Sequence, residues 1–179
     1  MIYNICALCG KPIFNKQTTD HIIPVAIFKW IQAANNSITQ EELDELSAII
    51  GHPMNKCKVH EHCNVVKSCS FEKPAYLSKE QSEVVDDLLT QAAPYIKSYT
   101  AFLDEMAALQ RYGCYRCHLP VSDAYAVVRR LNNKAPRSKD NAMLLCSGCN
   151  VYISLHRRSN WRDDRHYRRI CDGRNCIEE

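Results

Sequence analysis

No stretch of the 179-residue chain is apolar over the length a bilayer requires, and Met1-Ile2-Tyr3-Asn4-Ile5-Cys6 has no basic region ahead of a long apolar core. A membrane span and a secretory signal are therefore not expected, and a reducing cytoplasm is. Net charge is scarce as well, at +3, too little to name a partner by itself. A chain of this size makes one compact domain or two small ones, each short of apolar surface to bury unaided. Domains that small commonly need a staple, and 11 cysteines supply one. In a reducing compartment, paired cysteines read as zinc ligands.

Tyr3 to Ile5 is expected as a short strand entering Cys6-Ala7-Leu8-Cys9-Gly10, where the glycine permits the tight turn of a zinc knuckle. Lys11 to Phe14 reads as the return strand, and β-branched Thr18 to Ile23 as the next, closed by Pro24. Val25, Ile27, Phe28, Trp30 and Ile31 recur at helical spacing up to Asn35-Asn36. A capping-box-like start over Ser37 to Glu42 opens a second helix, with Leu43, Leu46, Ile49 and Ile50 as its apolar stripe up to Gly51. These helices read as an insertion between Asp20-His21 and Asn55. A helix beginning near Cys63 carries Asn64 and Lys67 on adjoining faces. After a linker over Phe71 to Leu77, Ser78 with Gln81 caps a long helical stretch to Arg111, broken or kinked near Pro94. Its buried side is expected to be Val84, Val85, Leu88, Leu89, Ile96, Tyr99, Phe102, Leu103 and Met106.

Past Gly113 the pattern restarts. Asn55, His60, Cys63 and Asn64 are spaced by five, three and one residues, and Asn141, Cys146, Cys149 and Asn150 repeat that spacing. Duplication of a zinc-bearing unit is the simplest account. The second ligand set is Cys114, Cys117, Cys146 and Cys149; the first is Cys6, Cys9, Cys63 and a fourth group, for which His60 has the register while His62 and Cys57 are rivals. Cys171 and Cys176 near His166 make a candidate third site or idle thiols, and Cys69 has no assigned work. The positions matching Asp20 and His21 are Val128 and Arg129, or Arg129 and Arg130 in a register slid by one; neither restores a carboxylate–imidazole pair, and Lys67 has become Ile153.

Charge is unevenly distributed. Ser78 to Gln110 is acidic, whereas Arg129, Arg130 and Arg137, then Arg157, Arg158, Arg162, Arg165, Arg168 and Arg169, make the C-terminal half basic, as suits a surface lying against phosphates. A solvated helix face is the alternative use of that charge. Lys67 is divided between a phosphate contact and helix cover.

The order of Cys6-x2-Cys9, Asp20-His21-Ile22-Ile23-Pro24, Asn55, His60-x2-Cys63-Asn64 and Lys67 resembles the zinc-stapled members of the HNH nuclease family. The resemblance covers Cys6 to Lys67 and, in degenerate form, Cys114 to Asn150. It implies an α+β chain of two small zinc-stapled ββα-metal units joined by a helical spacer, divided as 1–72, 73–112 and 113–179. It further implies His21 as general base, Asp20 and Asn64 as ligands of a catalytic Mg²⁺ or Mn²⁺ ion, and Asn55 as the residue that fixes the loop and orients the histidine. The chemistry suits those residues, because a neutral imidazole takes a proton from water near neutral pH and hard oxygen donors hold a hard ion. The expected activity is metal-dependent cleavage of DNA leaving a 5′ phosphate, with two structural zinc ions and a second unit that holds DNA or serves as scaffold. Such proteins are frequent in phages and mobile elements. The competing expectation is a non-catalytic zinc-dependent DNA- or protein-binding regulator or subunit, for which the acidic spacer is a candidate docking surface.

Overall fold

The computed structural model describes residues 4–14, 17–34, 38–67, 71, 73–121 and 126–155. The chain is α+β and divides into two compact units, 1–99 and 100–179, with the division inside one long helix.

In the first unit, strand β1 (Gln17–His21) pairs antiparallel with β2 (Lys56–His60), placing Asp20 opposite Cys57 and His21 opposite Lys56. Helices α1 (Val25–Ala34) and α2 (Gln40–Gly51) intervene as the predicted insertion. Their apolar faces pack, burying Ile27, Trp30, Ile31, Leu43, Leu46, Ile49 and Ile50. Thr39 caps α2: its hydroxyl accepts from the Glu42 N–H while the Glu42 carboxylate accepts from the Thr39 N–H, a reciprocal box that satisfies two otherwise orphaned donors. Helix α3 (Glu61–Lys67) follows β2 directly and packs against both strands. The core beneath the sheet gathers Cys6, Ala7, Ile13, Ile22, Cys57, Val59 and Val85. The strands expected over residues 3–5 and 11–14 reduce, among the described residues, to a single bridge between Ile5 and Pro12.

Helix α4 (Lys79–Leu109) begins where Ser78 accepts from the Gln81 N–H and runs through Pro94 unbroken. Pro94 lies on the exposed face, where a carbonyl that loses its N–H partner can turn to water. Val85, Leu88, Ala92, Tyr95 and Tyr99 are its buried positions in the first unit, and the Tyr95 hydroxyl donates to Glu45 of α2 at 2.6 Å.

In the second unit, β3 (Val127–Arg130) pairs antiparallel with β4 (Ala142–Leu145), whose four residues are all buried, and α5 (Ser147–Leu155) follows at once. Each unit thus contains a Cys-x2-Cys turn, a two-stranded sheet and a helix after the second strand. No described helix is long and apolar enough to cross a membrane.

Candidate functional site

Two groups of four side chains converge among the described residues: Cys6, Cys9, His60 and Cys63, and Cys114, Cys117, Cys146 and Cys149, each with its ligand atoms within 4.8 Å of one another. A tetrahedral zinc ion with Zn–S bonds of about 2.3 Å holds its sulfurs about 3.8 Å apart. The Cys117 and Cys146 sulfurs are 3.9 Å apart, and His60 Nδ1 lies 3.5 Å from the Cys9 sulfur and 3.8 Å from that of Cys63. His60 Nε2 meets the Pro12 carbonyl at 3.2 Å; donating its proton there fixes the tautomer and turns the Nδ1 lone pair to the cluster, the outer contact expected of a zinc-bound imidazole. Both donor sets therefore fit zinc. The rivals for the fourth place are settled by position: His62 is exposed on α3, and Cys57 is buried in the core with its thiol pushed up to about 11 by burial and by the Asp20 charge. Cys69, His166, Cys171 and Cys176 lie outside the described residues.

In each cluster one thiol is favoured as the thiolate while neighbours are held protonated. Burial opposes ionisation of Cys6, yet N–H donors of His60, Cys9 and Leu8 outweigh it and bring the thiol down to about 6. Cys63 is pushed up to about 12, by burial and then by hydrogen bonding and charge within the cluster. In the second set, bonding from Cys146 and Cys149 lowers Cys114, while Cys146 rises to about 12 beside it. Crowded thiols of this kind ionise together only when a cation neutralises them. Gly10, at φ +70°, closes the first turn with its N–H on the Cys6 carbonyl, and an added Cβ would lie 2.7 Å from the Tyr76 ring. His118 occupies the matching place in the second turn at φ 62°, its N–H on the Cys114 carbonyl.

The Asp–His pair ends β1. Asn55 is fully buried: its Oδ1 accepts from the Ile23 N–H at 2.7 Å, and its Nδ2 donates to the Ile23 and Ile50 carbonyls at 3.2 and 2.9 Å. The Ile22 N–H also reaches the Asn55 carbonyl at 2.8 Å. The chain leaving His21 is thereby tied to the end of α2 and the start of β2. Lys67 is turned inward from α3, its side chain 5% exposed, with Nζ donating to Asp20 Oδ2 at 2.8 Å, the His21 carbonyl at 2.9 Å and the Ile22 carbonyl at 3.4 Å. Three acceptors surround the ammonium, a use that neither of the two expectations for Lys67, phosphate contact or helix cover, had named. The His21 imidazole is held below its usual value of 6.5, first by burial and then by the Lys56 cation, against the opposing Asp20 charge. Neutral imidazole is therefore the form present at neutral pH. Asn64 is half-buried on α3, one residue after the candidate zinc ligand Cys63.

Hydrogen bonds fix the match between the units. Asn141 Oδ1 accepts from the Asn132 N–H at 2.8 Å and the Asn141 carbonyl from the Leu131 N–H at 2.9 Å, repeating Asn55 with Ile23 and Ile22. Arg129 and Arg130 therefore stand where Asp20 and His21 stand, the slid register of the two. The Arg129 guanidinium bonds Asn150 Oδ1 at 2.6 Å and the Ser154 hydroxyl at 2.5 Å. Arg130 donates to the Ala135 carbonyl at 3.0 Å, and burial, with Arg130 beside it, lowers the Arg137 guanidinium. The cluster from Arg157 through Arg158, Arg162 and Arg165 to Arg168 and Arg169 lies outside the described residues. Sequence reasoning missed the Lys67–Asp20 pair and the Arg129–Asn150 bond, because each joins a strand to a helix that lies far along the chain.

No family model, curated protein or solved structure matches the chain.

Proposed function

We propose that the first unit is a metal-dependent endonuclease of HNH type hydrolysing DNA phosphodiester bonds, its strands and following helix forming a ββα-metal arrangement. The observation that carries this reading is the Asn55 clamp. A fully buried asparagine spends its side chain holding the backbone two residues beyond His21, directly after an Asp–His pair and next to a zinc-ligand cluster.

On this reading His21, neutral at pH 7, accepts the proton of the attacking water. Asp20 and Asn64 supply the hard oxygen donors that a Mg²⁺ or Mn²⁺ ion takes, and among the described residues Asp20 Oδ1 carries no hydrogen bond. When bound, such an ion stabilises charge on the phosphate and on the departing oxygen. Asn55 keeps the imidazole's backbone fixed, so that little reorganisation accompanies proton transfer.

The second unit is assigned a non-catalytic role, holding DNA through its phosphates by Arg130, Arg137 and the arginines from Arg157 to Arg169. In place of a carboxylate and a base it has two arginines, and Arg129 is committed to Asn150 and Ser154.

The test is nicking of supercoiled plasmid by the purified chain with Mg²⁺ or Mn²⁺, beside a His21→Ala variant of unchanged zinc content. Nicking by the parent alone is expected. Cleavage by neither, with DNA retained in a gel shift, would move the assignment to a DNA-binding module.

A further inference from the structure

Lys67 has no part in the scheme above, yet it forms an enclosed ion pair with Asp20 inside the site. Its ammonium bonds Asp20 Oδ2, the His21 carbonyl and the Ile22 carbonyl, and the Asp20 side chain is 11% exposed. An ion pair so placed either holds the fold or serves the site, and the chain contains its own control. The second unit keeps what builds the fold: four zinc-fitting ligands, the asparagine clamp at Asn141, and Asn150 one residue after a ligand. It has lost both members of the pair together, with Arg129 for Asp20 and Ile153 for Lys67. The same architecture therefore forms without a lysine at this place, its strand and helix being joined instead by Arg129 on Asn150 and Ser154. Lysine stands only where the carboxylate and the imidazole stand.

From this we infer that Lys67 is a positioning residue of the Asp20–His21 site, holding one carboxylate oxygen and the backbone that carries the imidazole while leaving Asp20 Oδ1 for a divalent ion. The inference rests on the nuclease reading of that site. Two consequences follow from the contacts. The ammonium competes with the ion for the charge of one carboxylate, so its removal tightens ion binding. It also secures the peptide from which His21 projects, so its removal lets the base drift, and a displacement of about 1 Å at a reacting group costs about a hundredfold in rate.

The experiment compares the parent, Lys67→Met and Lys67→Gln, each with its zinc content and thermal midpoint. Mn²⁺ binding is read by electron paramagnetic resonance, and plasmid nicking by steady-state kinetics. The expected result is tighter Mn²⁺ binding in Lys67→Met, with kcat lower by about a hundredfold, KM for DNA within about twofold of the parent, and zinc retained. Lys67→Gln, which can still donate to Asp20, should lie between the two. A raised KM with kcat intact would mark Lys67 as a phosphate contact and overturn the inference. Zinc loss in both variants would mark it as a fold residue, with the same consequence. Parent-like Mn²⁺ binding and kcat in Lys67→Met would overturn the inference while leaving the nuclease reading standing. A parent that neither binds Mn²⁺ nor nicks DNA would remove both.

Discussion

His21 faces two kinds of neighbour, and the balance between them sets its working range. Burial and the Lys56 cation disfavour the imidazolium, Asp20 favours it and the Lys67 cation disfavours it in turn, and the outcome is a value below 6.5. A group depressed in this way is in its neutral, proton-accepting form at and above neutral pH and loses that form as pH falls. A divalent ion bound at Asp20 acts in the same direction, since it adds positive charge nearby. The rate of plasmid nicking should accordingly be flat from pH 7 upward and fall on an acid limb placed below 6.5, by about tenfold per pH unit, as one proton is taken up. A rate that rises as pH falls through that range would remove His21 as the base. Cys57, across the sheet from Asp20, illustrates the opposite effect: burial and the nearby carboxylate keep its thiol protonated, which suits a core residue and not a ligand.

The loop-clamping asparagines act on whole elements. Asn55 joins the exit of β1, the last turn of α2 and the entry to β2 through three side-chain hydrogen bonds, none of them accessible to water. Truncating it strands the Ile23 N–H and two carbonyls in the interior, so Asn55→Ala should cost about 2–3 kcal/mol of first-unit stability. Asn141 bonds Asn132 and the Ala135 and Pro136 carbonyls in the same fashion but is half-buried, so water can replace the lost partner. Asn141→Ala should therefore cost about 1 kcal/mol. Urea unfolding of the two variants measures the difference, and equal losses would show that the clamps are not distinguished by burial. The turns that carry the first ligands tell a related story. Gly10 meets its left-handed conformation without strain and leaves room for the Tyr76 ring, whereas His118 accepts that conformation at an exposed position with a cost of about 1 kcal/mol.

At the scale of the whole chain, each unit has a small core into which its candidate metal-ligand cluster is built. Cys6 is at once a candidate zinc ligand and a member of the first core, and Cys114 and Cys149 are buried in the second. Where such a cluster takes zinc, the energy of binding is energy of folding, and the folding of the unit is coupled to metal. Metal analysis of the purified chain should find two zinc ions, falling to one in Cys63→Ser and to one in Cys149→Ser. Removal by a strong chelator should abolish the ordered circular dichroism of the unit concerned. Two ions retained in either variant would place zinc elsewhere.

The Cys-x2-Cys pairs and the capping box ahead of α2 were legible in the sequence, because each lies within one short turn, where residue spacing fixes geometry. The insertion between Asp20-His21 and Asn55 and the repeated spacing were legible as patterns of order along the chain. Spacing across loops does not fix geometry. The stretch from Cys117 to Arg129 is one residue longer than that from Cys9 to Asp20, so only the Asn141 hydrogen bonds could decide that Arg129 replaces the aspartate. The bridge that replaced the expected outer strands, and a helix that continues through Pro94, were likewise set by what surrounds each backbone group. Tertiary structure alone chose His60 over His62 and Cys57, since neighbouring side chains point to different sides of a strand or helix and only packing says which side holds the metal. It also turned Lys67 inward. A lysine reads as a surface charge until a buried carboxylate and two carbonyls 45 or more residues away are brought within reach of its ammonium.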